Sequence, residues 1–199
     1  MYKPIEMNKL KVNTSFKWVL ERKNFLSKDE CIEMKKFIDE NAKPSRSQLS
    51  KLNDKSDFDF KWGNKDCRLY MAENSEQSLL DRFWSVMTIA NEVSYKYDIK
   101  GIYHNRIQAQ KYVAGDLYNP HSDYHGFLDY STLKLTSLLF LNDYSEYEGG
   151  KFSFFDGTEI EPEVGKIIIS PAFYGHELSP ITRGTRYSCV GWAVGDTFV

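Results

Sequence analysis

His121-Ser122-Asp123 and, much further along, His176 are the residues of this 199-residue chain whose types and spacing suit a metal ion. Two imidazoles and one carboxylate form the facial ligand set that holds non-haem Fe(II) and leaves coordination positions open. On a strand, residues two apart share a side, so His121 and Asp123 point one way and Ser122 the other. Pro120 holds Asn119 extended at the mouth of that strand. The third ligand must come from a distant strand lying alongside, and His176 sits at a suitable strand end.

Arg186 follows His176 on what reads as a returning strand, after turn signals at Pro180 and Gly184. There Arg186, Ser188, Val190 and Trp192 share one face, with Thr185, Tyr187, Cys189 and Gly191 on the other. An inward arginine is costly to bury unless an anion meets it, so on that face Arg186 calls for a carboxylate. Its planar fork suits a bidentate carboxylate contact, and Ser188 can add a hydroxyl to the same oxygens. On the outward face, Arg186 would be an ordinary surface cation.

Several elements must position these residues. A short strand is expected over residues 16–20, then a helix capped by Ser27 and Glu30, with Cys31, Met34, Phe37 and Ile38 at helical spacing. The turn-rich residues 53–66 carry Phe58, Phe60 and Trp62, as a loop pinned to the core or a lid. Residues 76–97 read as an amphipathic helix through Leu79, Leu80, Phe83, Trp84, Met87 and Ala90. From residue 102 the period becomes two, giving strands over 102–113, 133–141, 151–155, 166–170 and 185–194. The expected fold is mainly β with flanking helices: a double-stranded β-helix (jelly roll, cupin-like) backed by amino-terminal helices. One domain is expected, with a helical support region over 1–100 and the jelly-roll core with the metal site over 101–199.

A net charge of -2 offers no broad basic field, so nucleic acid is not an expected partner. The three cysteines form no CxxC pair, which points to free thiols in a reducing compartment. The amino terminus lacks the apolar run of a secretory signal and no stretch reaches transmembrane length, so no membrane role and a cytoplasmic location are expected.

Residues 103–195 resemble the 2-oxoglutarate/Fe(II) dioxygenases of the prolyl 4-hydroxylase type, particularly the PKHD-type hydroxylases. The resemblance rests on Tyr112-x-x-Gly115-x-x-Tyr118-x-x-His121-x-Asp123 and on Leu139-Phe140-Leu141-Asn142-Asp143 followed by Tyr147-Glu148-Gly149-Gly150. Pro171, the run from His176 to Tyr187, and Trp192 complete it. It implies that His121, Asp123 and His176 ligate iron and that Arg186 binds the distal carboxylate of 2-oxoglutarate. Tyr112 is similar to a tyrosine that hydrogen-bonds the co-substrate in relatives, or else is a core aromatic, and Tyr118 lines the same pocket. At Leu139 the chain departs from animal prolyl hydroxylases, which place a co-substrate-binding tyrosine there. Lys134 is a second candidate anchor, against a solvated surface position. No catalytic side chain is expected beyond the metal centre.

The implied cofactors are Fe(II), 2-oxoglutarate and O2, with ascorbate as an auxiliary reductant. The implied reaction hydroxylates a C–H bond, with a prolyl residue of a peptide or protein first in line, and releases succinate and CO2. Asp123 at the carboxylate position favours hydroxylation over halogenation. A small-molecule hydroxylase of the same fold and a non-catalytic jelly-roll binding module are the alternatives. His125 belongs to a pocket rim or faces substrate. His104 is expected as a satisfied strand residue, while Arg106 and Gln108 share a face that could meet a substrate amide or pair across strands.

Overall fold

The structure, a computed structural model, describes residues 13–41, 66–69, 76–126 and 128–198. The proposed lid or pinned loop at 53–65 lies outside the described residues. Two helices are described. Helix α1 (Lys28–Asn41) starts at the expected capping box: the Ser27 N–H donates to Glu30 Oε2 at 2.7 Å and the Glu30 N–H to Ser27 Oγ at 3.2 Å. Helix α2 (Glu76–Ala90) continues into a π-helical turn, Asn91–Tyr95, which ends where Lys96 takes a left-handed conformation.

The strands form two antiparallel sheets. The large sheet contains β1 (Leu20–Arg22), β2 (Asp66–Leu69), β3 (Gly101–Ile102), β4 (Ile107–Val113), β6 (Leu133–Phe140), β7 (Tyr147–Gly149), β10 (Ile167–Pro171) and β12 (Ile181–Val194). Its main path runs β1-β10-β6-β12-β4-β2, with β3 and β7 also pairing with β12. The small sheet, in the order β5-β11-β8-β9, is built from β5 (Tyr118–His121), β8 (Phe152–Phe154), β9 (Glu159–Ile160) and β11 (His176–Leu178). Long crossovers between sequence neighbours make this the expected jelly roll.

Alternation along the large sheet decides what each face packs against. Leu135, Leu139 and Leu141 of the β6 segment join Ile107, Ala109, Ile167, Ile169, Cys189 and Ala193 under the helices. Phe83 and Met87 of α2 are fully buried there, each stabilising the fold by about 1.5–3 kcal/mol. On the opposite face Leu138, Phe140, Ile168 and Val190 meet Phe154, Ile160 and Tyr174. The metal-site residues belong to this second, inter-sheet layer.

Three expectations change, and one strand is new. The first strand is Leu20–Arg22, sharing only Leu20 with the expected residues 16–20, because its hydrogen-bonding partner is β10, with Leu20 opposite Ile169. Strand β2 lies at the end of a stretch too polar to announce it, and pairs with β4. The 102–113 run is broken by a single 3-10 turn, Tyr103–Asn105, which places His104 exposed at φ 52° rather than in a strand. Pro180 and Gly184 do not bracket a turn: β12 runs through Gly184, whose φ of 77° lets it lie against the Glu146 carbonyl. Among the described residues, no helix is long and apolar enough to cross a membrane.

Candidate metal centre and its anion pocket

His121 and His176 are register partners across β5 and β11, which sets their rings side by side with centroids 4.4 Å apart. Asp123 lies just past the end of β5, in a bend rather than on the strand. Backbone contacts to the β10–β11 connection fix that bend: the Tyr124 N–H and the Ser122 hydroxyl both donate to the Ala172 carbonyl. One ligand atom from each of His121, Asp123 and His176 lies within 4.8 Å of the others. The Nε2 atoms of His121 and His176 stand 3.6 Å from Asp123 Oδ1 and 3.9 Å from Oδ2 respectively. That grouping is what one metal ion requires.

The surroundings orient all three ligands. His121 Nδ1 faces the Asn119 carbonyl at 2.8 Å, and His176 Nδ1 faces the Tyr174 carbonyl at 3.0 Å. Each contact keeps the Nδ1 proton on the outside and the Nε2 lone pair turned to the centre. The Thr136 hydroxyl donates to Asp123 Oδ2 at 2.6 Å. Burial pushes the Asp123 carboxyl up. The two facing imidazoles, His121 first, and the Thr136 hydroxyl outweigh that and hold it well below the ordinary carboxylate range. Burial, only partly opposed by Asp123, lowers the His176 imidazole and favours its neutral, ligating form.

Arg186 is buried on β12 with 2% of its surface exposed, on the inward face with Val190 and Trp192. Its Cζ lies 5.6 Å from the Tyr112 ring centroid and 5.5 Å from that of Phe140. Nη1 donates to Ser188 Oγ at 2.9 Å, and Ser188 passes its own proton to Gln110 Oε1 at 3.1 Å. Ser188 therefore holds the guanidinium, its hydroxyl proton already spent on Gln110. Among the described residues no carboxylate pairs with Arg186, and its buried Nε has no hydrogen-bond partner. A buried cation with a spare donor matches an anionic ligand by chemistry alone, at a standing cost of about 1–3 kcal/mol while unmatched. The residues thus fit both a divalent metal and a carboxylate.

Tyr118 packs its ring 4.2 Å from that of His121 and, with Phe152, closes the wall formed by Tyr112, Tyr147, Leu178 and Ile181. Lys134 is neither solvated nor part of this pocket: it is 3% exposed, and its ammonium sits 3.3 Å from the centre of the Phe198 ring. Leu139 faces the helices, so the residue presented to Arg186 from β6 is Phe140. Thr136 and Gln110 went unmarked in the sequence, and Tyr147 was marked only as part of the resemblance. Only the inward face of β4 and β6, read with the correct phase, could have indicated the first two.

Residues 107–194 match the family described as the 2OG-Fe(II) oxygenase superfamily. The match covers less than half of the chain. The matched span contains all three metal-site residues and Arg186, and a match to this superfamily implies Fe(II), 2-oxoglutarate and O2 as cofactors. A PKHD-type hydroxylase of a Synechococcus species is 41% identical over 82 residues, covering 40% of this chain and 36% of that protein. One from Maricaulis maris is 34% identical over 92 residues, covering 44% and 41%. The chain thus spans about two-fifths of the length of these curated relatives. In fold it is similar to a Pseudomonas putida prolyl-4-hydroxylase, with a TM-score of 0.67 at 18% identity over 90% of this chain and 93% of that one. A Trichoplax adhaerens prolyl hydroxylase, solved in complex with a hypoxia inducible factor peptide fragment, gives 0.69 at 17% identity over 92% and 84%. The matched segment therefore sits in a jelly roll of the fold that these structures share.

Proposed function

We propose that this protein is a 2-oxoglutarate- and Fe(II)-dependent hydroxylase that acts on a prolyl residue of a peptide or protein. The observation that carries the reading is the convergence of His121, Asp123 and His176 in the same inter-sheet layer as an anion-seeking Arg186. His121, Asp123 and His176 would hold the iron, and Arg186 the distal carboxylate of 2-oxoglutarate, with Tyr112 and Tyr118 lining the pocket. The bound metal and co-substrate supply the oxidising chemistry, with succinate and CO2 released.

The chain's own share is positional. The Nδ1 contacts to Asn119 and Tyr174 aim both imidazoles, Thr136 fixes the carboxylate, and the Ser188–Gln110 pair fixes Arg186. Phe152, 5.2 Å from the His176 ring, and Tyr118 shield the ligands from bulk water. The prolyl assignment is supported by the prolyl hydroxylases of shared fold, one of them holding a peptide.

The test is to incubate the protein with Fe(II), 2-oxoglutarate and proline-containing peptides, following succinate and a one-oxygen mass gain. Succinate formation stimulated by a peptide that gains oxygen on proline supports the proposal. Succinate formation coupled only to a free amino acid or metabolite would move the substrate to the small-molecule class.

A further inference from the structure

Tyr147, at the start of β7, is the second buried polar group in the pocket that lacks a partner. It is 3% exposed, and its hydroxyl, like Arg186 Nε, makes no hydrogen bond among the described residues. Burial pushes its phenol up to about 12, opposed chiefly by the nearby Arg186 charge, so it is a neutral donor at any physiological pH. The Tyr144 ring packs edge-on against it at 5.2 Å. Gly150 makes the space: a Cβ there would fall 2.3 Å from Ile181 Cδ1, 3.3 Å from Tyr147 Cε2 and 3.5 Å from Arg186 Cδ. With φ at 58°, Gly150 also adopts a conformation that side chains disfavour. Gly150 thus lets the tyrosine and arginine occupy one side of the pocket together.

Ser188 donates to Gln110, and the β6 residue facing the guanidinium is a phenylalanine, Phe140. A carboxylate accepts several hydrogen bonds, so a phenol donor beside the guanidinium adds to what the arginine fork supplies. We propose that Tyr147 is a co-substrate-binding residue whose phenol, together with Arg186, grips the carboxylate of 2-oxoglutarate that lies away from the metal. This assignment rests on the 2-oxoglutarate reading given under Proposed function. A ligand lacking that carboxylate gives the phenol nothing to bind.

The experiment uses the whole chain loaded with Mn(II) under anaerobic conditions, so that binding is measured without turnover. Calorimetric titration compares 2-oxoglutarate with 2-oxobutyrate, a 2-oxo acid that keeps the metal-chelating end and lacks the second carboxylate. Tyr147→Phe is expected to weaken 2-oxoglutarate by about tenfold, the scale of one hydrogen bond to a charged group. It should leave 2-oxobutyrate unchanged. Its melting temperature without ligand should be unchanged or raised, because the hydroxyl it removes has no partner in the protein. Equal weakening of both acids, no weakening of either, or a lowered melting temperature would overturn the assignment in favour of a structural phenol. If the wild-type protein binds Mn(II) yet shows no preference for 2-oxoglutarate over 2-oxobutyrate, the co-substrate reading itself fails, and the role of Tyr147 fails with it.

Discussion

The Thr136 hydroxyl lies 2.6 Å from Asp123 Oδ2, a hydrogen bond from the centre of the large sheet to a carboxylate that stands beyond the end of its own strand. Asp123 is not held by strand geometry, so Thr136 does what β5 cannot. Thr136→Val keeps the side-chain shape and removes the donor. Loss of such an orienting contact should lower metal affinity by about 10–100-fold. Thr136→Ser should restore most of it. Metal titration of the three proteins checks this, and equal affinities would contradict it.

Arg186 is a buried cation without an acidic partner among the described residues, which makes two opposite effects expected from one position. Arg186→Met should raise the stability of the ligand-free protein by about 1 kcal/mol or more, since it removes an uncompensated buried charge. The same change should weaken 2-oxoglutarate by roughly 100-fold or more, since the carboxylate loses its charge-assisted partner. Thermal melts and ligand titrations read the two effects separately.

The faces of β6 provide a third test. Leu139 is fully buried beneath the helices, whereas Phe140 looks toward Arg186. Leu139→Tyr should destabilise the protein by about 1–3 kcal/mol through overpacking, plus the cost of an unpartnered hydroxyl. Phe140→Tyr adds its hydroxyl on the pocket side and should be tolerated far better. Denaturant unfolding of the two variants decides it: similar midpoints would mean the strand's phase is misassigned.

That phase also shows where the sequence stops being legible. The His-x-Asp pair, the distant His176 and Arg186 carry their chemistry in their residue types, and the structure brings the metal set together. The jelly roll was likewise visible from the change of period at residue 102. Which side of β6 faces the pocket was not, because a one-residue shift exchanges the two faces, and the strand is buried on both with polar residues, Thr136 and Ser137, on opposite sides. Lys134 was misplaced for a related reason, since a lysine reads as surface unless the covering Phe198 ring is known. Gln110, Thr136 and Tyr147 matter only through cross-strand neighbours, and a single sequence does not display those pairings.

Helix α1 is tied to strands β12 and β4 by Asp39, which accepts hydrogen bonds from the Tyr187 hydroxyl at 2.8 Å and Lys111 Nζ at 2.5 Å. Burial acts to raise the Asp39 carboxyl, but Lys111 and Tyr187 outweigh it and bring it below its ordinary value. A lowered folded-state value means the stabilisation is complete above the unfolded-state value and is lost as pH falls through the folded one. Asp39→Ala should therefore cost about 0.5–1 kcal/mol near neutral pH, kept small by solvent at this half-exposed site. The difference from wild type should shrink in acid below pH about 4. Unfolding measured across pH checks it, and a constant difference down to strong acid would contradict it.

The central claim is that His121, Asp123 and His176 hold one metal ion, and anaerobic Fe(II) titration of the purified chain tests it most directly. Wild-type protein should bind about one equivalent, the number a single three-ligand face provides. His176→Ala and Asp123→Ala should each lose that binding while keeping the wild-type circular dichroism spectrum. Retention of wild-type Fe(II) affinity in either folded variant would contradict the account at its base.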